Sequence, residues 1–227
     1  MSKFNDISST KLTRNPVRRI GIKSRSITGT MPNGARYESS LERDLMILLN
    51  FDPLVHLYTP QPITISYKLP DGSWHKYTPD GLIEWDQDIP VYDKRPVLVE
   101  VKYREAFKNG AWKELLPKFR AARKLAKEKG WKFEIFTEDK IRVPLLDNAK
   151  FLHRYMLIEG DTEFQLLLLD KLAEVVETTP HLLISSIFKD KWNQAQLIPS
   201  LWQLVAKREV GCDLTTLLTM NSKVWAL

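Results

Sequence analysis

The chain has 227 residues, a formal net charge of +6, 43% hydrophobic and 27% charged residues, the ordinary composition of a globular protein with material for a core. No apolar run approaches the roughly 18 residues of a membrane-spanning helix, and Met1-Ser-Lys-Phe-Asn-Asp has no apolar stretch of a signal peptide, so a cytoplasmic protein without membrane partners is expected. The single cysteine, Cys212, excludes an internal disulfide and a thiolate metal cluster.

The basic excess is localised. Residues 1–36 carry eight Lys/Arg against one acid, residues 37–147 eighteen of each, and residues 148–227 eight basic against nine acidic. The first segment (Arg18, Arg19, Lys23, Arg25 and Arg36 among its cations) has no sustained periodicity. It reads as an extended arm, suited either to the backbone of double-stranded DNA or to solubility alone.

A helix follows over 39–50. Glu42, Leu45, Met46 and Leu49 share one face, and Ser39-x-x-Glu42 is also a capping box. Glu38 fits a face with Leu41, Leu45 and Leu48, so periodicity leaves Glu42 open between helix cap and ligand. Ile63, Ile65 and Tyr67 alternate with polar residues, Pro70-Asp-Gly-Ser73 marks a turn, and a return strand from Trp74 leads to Pro79-Asp80. A loop over 86–96 precedes the strand Pro96-Val-Leu-Val-Glu-Val-Lys102, on which Leu98, Glu100 and Lys102 share a face. The helix over 112–129 can turn Leu116, Phe119, Ala122 and Ala126 to the sheet. Lys118, Arg120, Arg123, Lys124, Lys127 and Lys129 then point elsewhere, into solvent or, through Lys118 and Arg123, along DNA. Gly130 ends it, and Lys132–Thr137 reads as a strand reached by a right-handed crossover, parallel to the Val-rich one. These elements make an α/β domain over 37–147. Beyond it, helices beginning near Asp161, Thr178 and Ala195, then a short stretch ending at Val224-Trp225, suggest a small, mostly α, winged-helix-like domain over 148–227.

Pro79-Asp80, nineteen residues and Glu100-Val101-Lys102 form a PD…ExK pattern. A carboxylate and an ammonium on an otherwise apolar strand are costly to bury unless compensated. Asp80 and Glu100 are hard oxygen ligands suited to Mg²⁺, with Mn²⁺ as substitute. Glu42 and the carbonyl of Val101 can complete the shell, and Lys102 can position water or stabilise charge on a phosphate. A Glu100–Lys102 salt bridge with Asp80 as a turn residue is the plainer alternative. The four histidines are scattered, and neither G-x-x-x-x-G-K-[ST] nor G-x-G-x-x-G occurs, which leaves zinc and nucleotide chemistry without support.

Ser39-Ser-Leu-Glu42-Arg-Asp-Leu, Tyr58-Thr-Pro-Gln-Pro-Ile-Thr-Ile65, Tyr77-Thr-Pro-Asp80-Gly-Leu-Ile and Val99-Glu100-Val-Lys102 together resemble TnsA, the endonuclease subunit of heteromeric cut-and-paste transposases. The resemblance implies a restriction-endonuclease-like PD-(D/E)xK fold over about 37–142 and Mg²⁺-dependent nicking at the 5′ ends of a transposon. It implies as partners a DDE-type transposase, TnsB, and an ATP-dependent regulator, TnsC, docked on the C-terminal domain. Carried onto this sequence, the catalytic set is Glu42, Asp80, Glu100 and Lys102. A stand-alone restriction or junction-resolving nuclease of the same fold, and a non-catalytic DNA-binding regulator, are the alternatives.

Overall fold

The computed structural model describes residues 7–14, 16–17, 28–31, 34–88 and 93–227. The chain divides into two units, Met1–Ile141 and Arg142–Leu227. That division falls before the expected 147/148 boundary, which cuts through a helix.

In the first unit, short strands β1 (Ile7–Ser9), β2 (Gly29–Thr30) and β3 (Arg36–Tyr37) precede helix α1 (Ser40–Phe51). Part of the expected extended arm is therefore tied down: β1 pairs antiparallel with β5 (Ile65–Lys68), and β2 with β3. Ile7 supplies an apolar contact to the core there, a tether that a count of arm charges does not register. Strand β4 (Val55–Pro60), the hairpin β5 and β6 (Trp74–Tyr77), β7 (Gly81–Trp85) and β8 (Val97–Val101) follow. A 3-10 turn over Arg104–Phe107, helix α2 (Trp112–Glu128), strand β9 (Lys132–Phe136) and helix α3 (Glu138–Ile141) complete the unit.

The main sheet has the order β4-β7-β8-β9, antiparallel except for the parallel β8–β9 pair. The expected crossover is thus found. Alternation along β8 divides the core: Val97, Val99 and Val101 pack against Leu41, Leu45, Leu49 and Ile141, while Leu98 packs with Ala121, Ala122 and Leu125. The return strand expected from Trp74 toward Pro79-Asp80 ends at Tyr77, and the apolar residues beyond Asp80 form a separate strand in another sheet. β6 stays with β5, β7 joins the main sheet, and Thr78-Pro79-Asp80 is the crossing point. Proline cannot donate to a ladder, so the sheet breaks there.

In the second unit, α4 (Pro144–Met156) was not anticipated from the sequence. α5 (Thr162–Val175), α6 (Pro180–Ile187) and α7 (Lys191–Ala206) correspond to the expected helices, α7 beginning four residues early because Asp190 caps it by accepting from Asn193 N. β10 (Glu177–Thr178), β11 (Val210–Cys212) and β12 (Val224–Ala226) form an antiparallel sheet in the order β10-β12-β11. Buried Asn148 pins the segment before β12: its amide donates to Leu214 O (3.0 Å) and Thr216 O (2.7 Å), and its Oδ1 accepts from Leu218 N (2.9 Å). Asn148→Leu removes three bonds and strands their backbone partners. It is expected to cost about 2–4 kcal/mol in chemical denaturation of the chain.

Candidate active site

Asp80 is held by its backbone before its side chain does anything. Its N–H donates to Val99 O (2.9 Å), and its carbonyl accepts from Gln61 N (3.0 Å) and Tyr58 Oη (3.1 Å). Its Oδ2 accepts from Val101 N (2.7 Å), so the carboxylate is tied to the strand that carries Glu100. The next residue must be glycine, since a Cβ on Gly81 would lie 2.2 Å from the Tyr58 ring, on which the Tyr58–Asp80 bond depends.

Glu100 emerges on the α2 side of β8 and is 1% exposed. Its Oε2 accepts from Tyr77 Oη (2.5 Å); its Oε1 accepts from Lys118 Nζ (2.8 Å) and pairs with Lys102 Nζ (3.0 Å). The Lys118 ammonium also lies 4.9 Å from the centroid of the Tyr77 ring and 5.1 Å from that of Phe119. Lys102 Nζ donates to Val101 O (3.0 Å) and is 3.9 Å from Asp80 Oδ2. Glu42, at the start of α1, closes the capping box: Glu42 N donates to Ser39 Oγ (3.1 Å), Ser39 Oγ donates to Glu42 Oε1 (3.0 Å), and Glu38 N donates to Oε2 (3.0 Å). The cap is therefore present, and the Glu42 charge still acts on both Asp80 and Lys102.

The cluster holds more negative charge than its buried setting favours. Burial, then repulsion from Glu100, pushes the Asp80 carboxyl well above its ordinary range; Lys102 opposes this and Glu42 adds to it. Burial likewise raises Glu42. Burial pulls Lys102 down, but Asp80 and Glu100 outweigh it, and the ammonium is held above its ordinary value. Burial and the neighbouring carboxylates raise the phenols of Tyr58 and Tyr77, which stay neutral donors.

Among the described residues, no three His, Cys, Asp or Glu side chains form a metal-holding cluster. Glu42 is turned to its cap, and the ammonium of Lys102 stands between Asp80 and Glu100. The donors that do converge are two hard carboxylates whose repulsion a cation would relieve. That set fits Mg²⁺, which keeps several of its own waters and takes one or two carboxylates.

The expected residues Asp80, Glu100, Val101 and Lys102 thus meet at the end of β8, with Glu42 bordering them. Three others had not been anticipated: Tyr58, Tyr77 and Lys118 as a partner of Glu100. Lys118 had been placed away from the sheet, yet it precedes Ala121, Ala122 and Leu125 by three, four and seven residues, the spacing of the buried face of α2. Arg36 is exposed on β3. Arg123 is exposed and lines a shallow basic cavity of about 430 Å³ with Arg95, Lys127 and Lys132, residues near the start of β8 and β9 rather than at the site. Arg18, Arg19, Lys23 and Arg25 lie outside the described residues.

No helix among the described residues is long and apolar enough to cross a membrane. No curated protein matches the chain. Two family models do. The one for the TnsA-like endonuclease N-terminal region matches residues 52–138, taking in Asp80, Glu100 and Lys102 but not Glu42. The one for the TnsA endonuclease C-terminal region matches residues 140–214. Matched in order by both halves, the chain belongs to the TnsA endonuclease family.

Proposed function

We propose that this chain is the Mg²⁺-dependent endonuclease that nicks the 5′ ends of a transposon within a heteromeric transposase, through a restriction-endonuclease-like PD-(D/E)xK site. The observation that carries this reading is the convergence, inside the matched region, of Asp80, which is bonded to Val99 and Val101 of β8, and Glu100 of that strand, with Lys102 within 3.9 Å of one carboxylate and 3.0 Å of the other.

Asp80 and Glu100 would hold the cation, with Glu42 and the Val101 carbonyl as further donors. A cation held there would supply neutralisation of phosphate charge and a more acidic water. Lys102 supplies an ammonium that Asp80 and Glu100 keep protonated, placed to stabilise charge developing on the phosphate. Tyr77 orients Glu100, and the Tyr58–Gln61 pair fixes the Asp80 backbone, so the two carboxylates are positioned before substrate arrives.

For the second unit, the order of α5, β10, α6, α7, β11 and β12 and the sheet order β10-β12-β11 support a winged-helix-like module. Its near-neutral charge favours docking on a protein, the regulator TnsC, over binding DNA alone. Exposed Leu166, Leu182 and Trp192 point the same way. TnsB is the partner that would cut and join the 3′ ends, and the exposed Arg36, the N-terminal cations and Arg123 are suited to transposon-end DNA.

The test is cleavage of a labelled transposon-end duplex in Mg²⁺ and Mn²⁺, by the chain alone and with TnsB. Nicking near the 5′ end that needs the partner and is lost in Asp80→Ala and Lys102→Ala is the expected result. Equal cleavage without the partner would make the chain a stand-alone nuclease. No cleavage in any combination would leave a DNA-binding regulator.

A further inference from the structure

We propose that Lys118 is a positioning residue of this site, a resident cation that holds Glu100 in place and gives up Glu100 Oε1 when a divalent metal ion binds. The inference deepens the nuclease reading and rests on it.

Glu100 is buried and both of its oxygens are engaged, one by a tyrosine hydroxyl and the other by two ammonium groups. A carboxylate so enclosed without cations would be uncompensated. The two lysines differ in what else holds them. Lys102 comes from the same strand as Glu100 and also meets Asp80 and the Val101 carbonyl. Lys118 comes from α2, and among the described residues its polar contact is with Glu100 alone. Its side chain retains 20% exposure, so it can leave Glu100 for solvent without opening the core. The faces of Tyr77 and Phe119 offer its ammonium a second resting place close by.

Charge arithmetic gives the lysine a purpose beyond structure. With all three carboxyls ionised, as a bound divalent ion favours, Asp80, Glu100 and Glu42 contribute three negative charges. Two ammonium groups leave the cluster at −1; a divalent ion takes it to +1, which one phosphodiester cancels. Without Lys118 the same cluster stands at −2, and at zero with metal. Removing Lys118 must therefore favour the metal and disfavour the phosphate, two effects of opposite sign. A lysine with no electrostatic hold on the site would change the thermal melt without moving metal affinity and nicking in opposite directions.

The experiment is a Mn²⁺ titration of the full chain without DNA, followed by the electron paramagnetic resonance of free Mn²⁺. It compares wild type, Lys118→Met, Lys118→Gln, Lys118→Arg and Asp80→Asn, each first shown to be folded by its thermal melt. Lys118→Met and Lys118→Gln are expected to bind Mn²⁺ about tenfold more tightly. At saturating metal they should nick DNA at least about tenfold more slowly. Lys118→Arg, which keeps the charge, should stay near wild type in affinity, and Asp80→Asn should lose binding. The two neutral variants serve for one another if either fails to fold. Binding lost in Asp80→Asn but unchanged or weakened in the folded Lys118 variants overturns the role given to Lys118 alone. Undiminished binding by Asp80→Asn overturns the metal-site reading, and the inference with it.

Discussion

Asp80→Asn is expected to abolish cleavage, by at least about 10²–10³-fold, while stabilising the metal-free chain. The two effects share one cause. Burial, with the charges of Glu100 and Glu42, raises the folded-state pKa of Asp80 above its ordinary value. The folded chain therefore holds that proton more tightly than the unfolded one. The associated stability is present at low pH and is lost as pH rises through the raised value. Above that raised value the ionised Asp80 weakens the fold, and a neutral amide, whose oxygen can still accept from Val101 N, does not. A gain of roughly 1 kcal/mol corresponds to about 2–4 °C in melting temperature for a domain of this size. The gap should close as pH falls toward the ordinary carboxylate range, where Asp80 becomes neutral as well. Mg²⁺ should raise the melting temperature of wild type and leave that of Asp80→Asn unchanged. Thermal melts between pH 4 and pH 8, with and without Mg²⁺, read all of these.

Glu100→Ala is expected to lose cleavage to a similar extent but with the opposite effect on stability. Glu100 is buried and receives Tyr77, Lys118 and Lys102. Truncating it leaves a phenol without its acceptor and two ammonium groups without their shared anion. Breaking a buried pair from one side costs about 3–5 kcal/mol. The same measurement thus separates the two carboxylates of one site. Asp80 is a charge the fold tolerates for the sake of function, and Glu100 is one the fold also depends on. A chain in which both substitutions destabilised equally would show that Asp80 is not under the strain described here.

The legible part of the site was the part written in one strand and one turn. Val97, Val99 and Val101 alternating with Leu98 and Glu100 gave the strand, its burial and the direction of Glu100, and Pro79-Asp80 marked a break. What was missed came from elements that reach the site over long sequence distances. Lys118 looked like one cation in a solvated helix face because seven Lys/Arg between Trp112 and Lys129 mask the single one at an inner position. Tyr58 reaches Asp80 from β4, whose pairing with β7 sequence reading did not anticipate. That the apolar residues after Asp80 form β7 in a different sheet from β6 likewise depended on long-range pairing. Glu42 was ambiguous in the sequence for a physical reason that persists in the structure: it caps α1 and acts on Lys102 at once. The boundary near Ile141 was displaced because α4 starts on Pro144, which reads as a breaker but is favourable at the first turn of a helix.

The most direct measurement is anomalous diffraction from crystals of the full chain soaked in Mn²⁺. The expected result is one peak within coordinating distance of both an Asp80 oxygen and a Glu100 oxygen, absent from Asp80→Asn crystals. A peak elsewhere, with Lys102 and Lys118 still seated on Glu100, would contradict the assignment of this cluster as the metal centre of the nuclease.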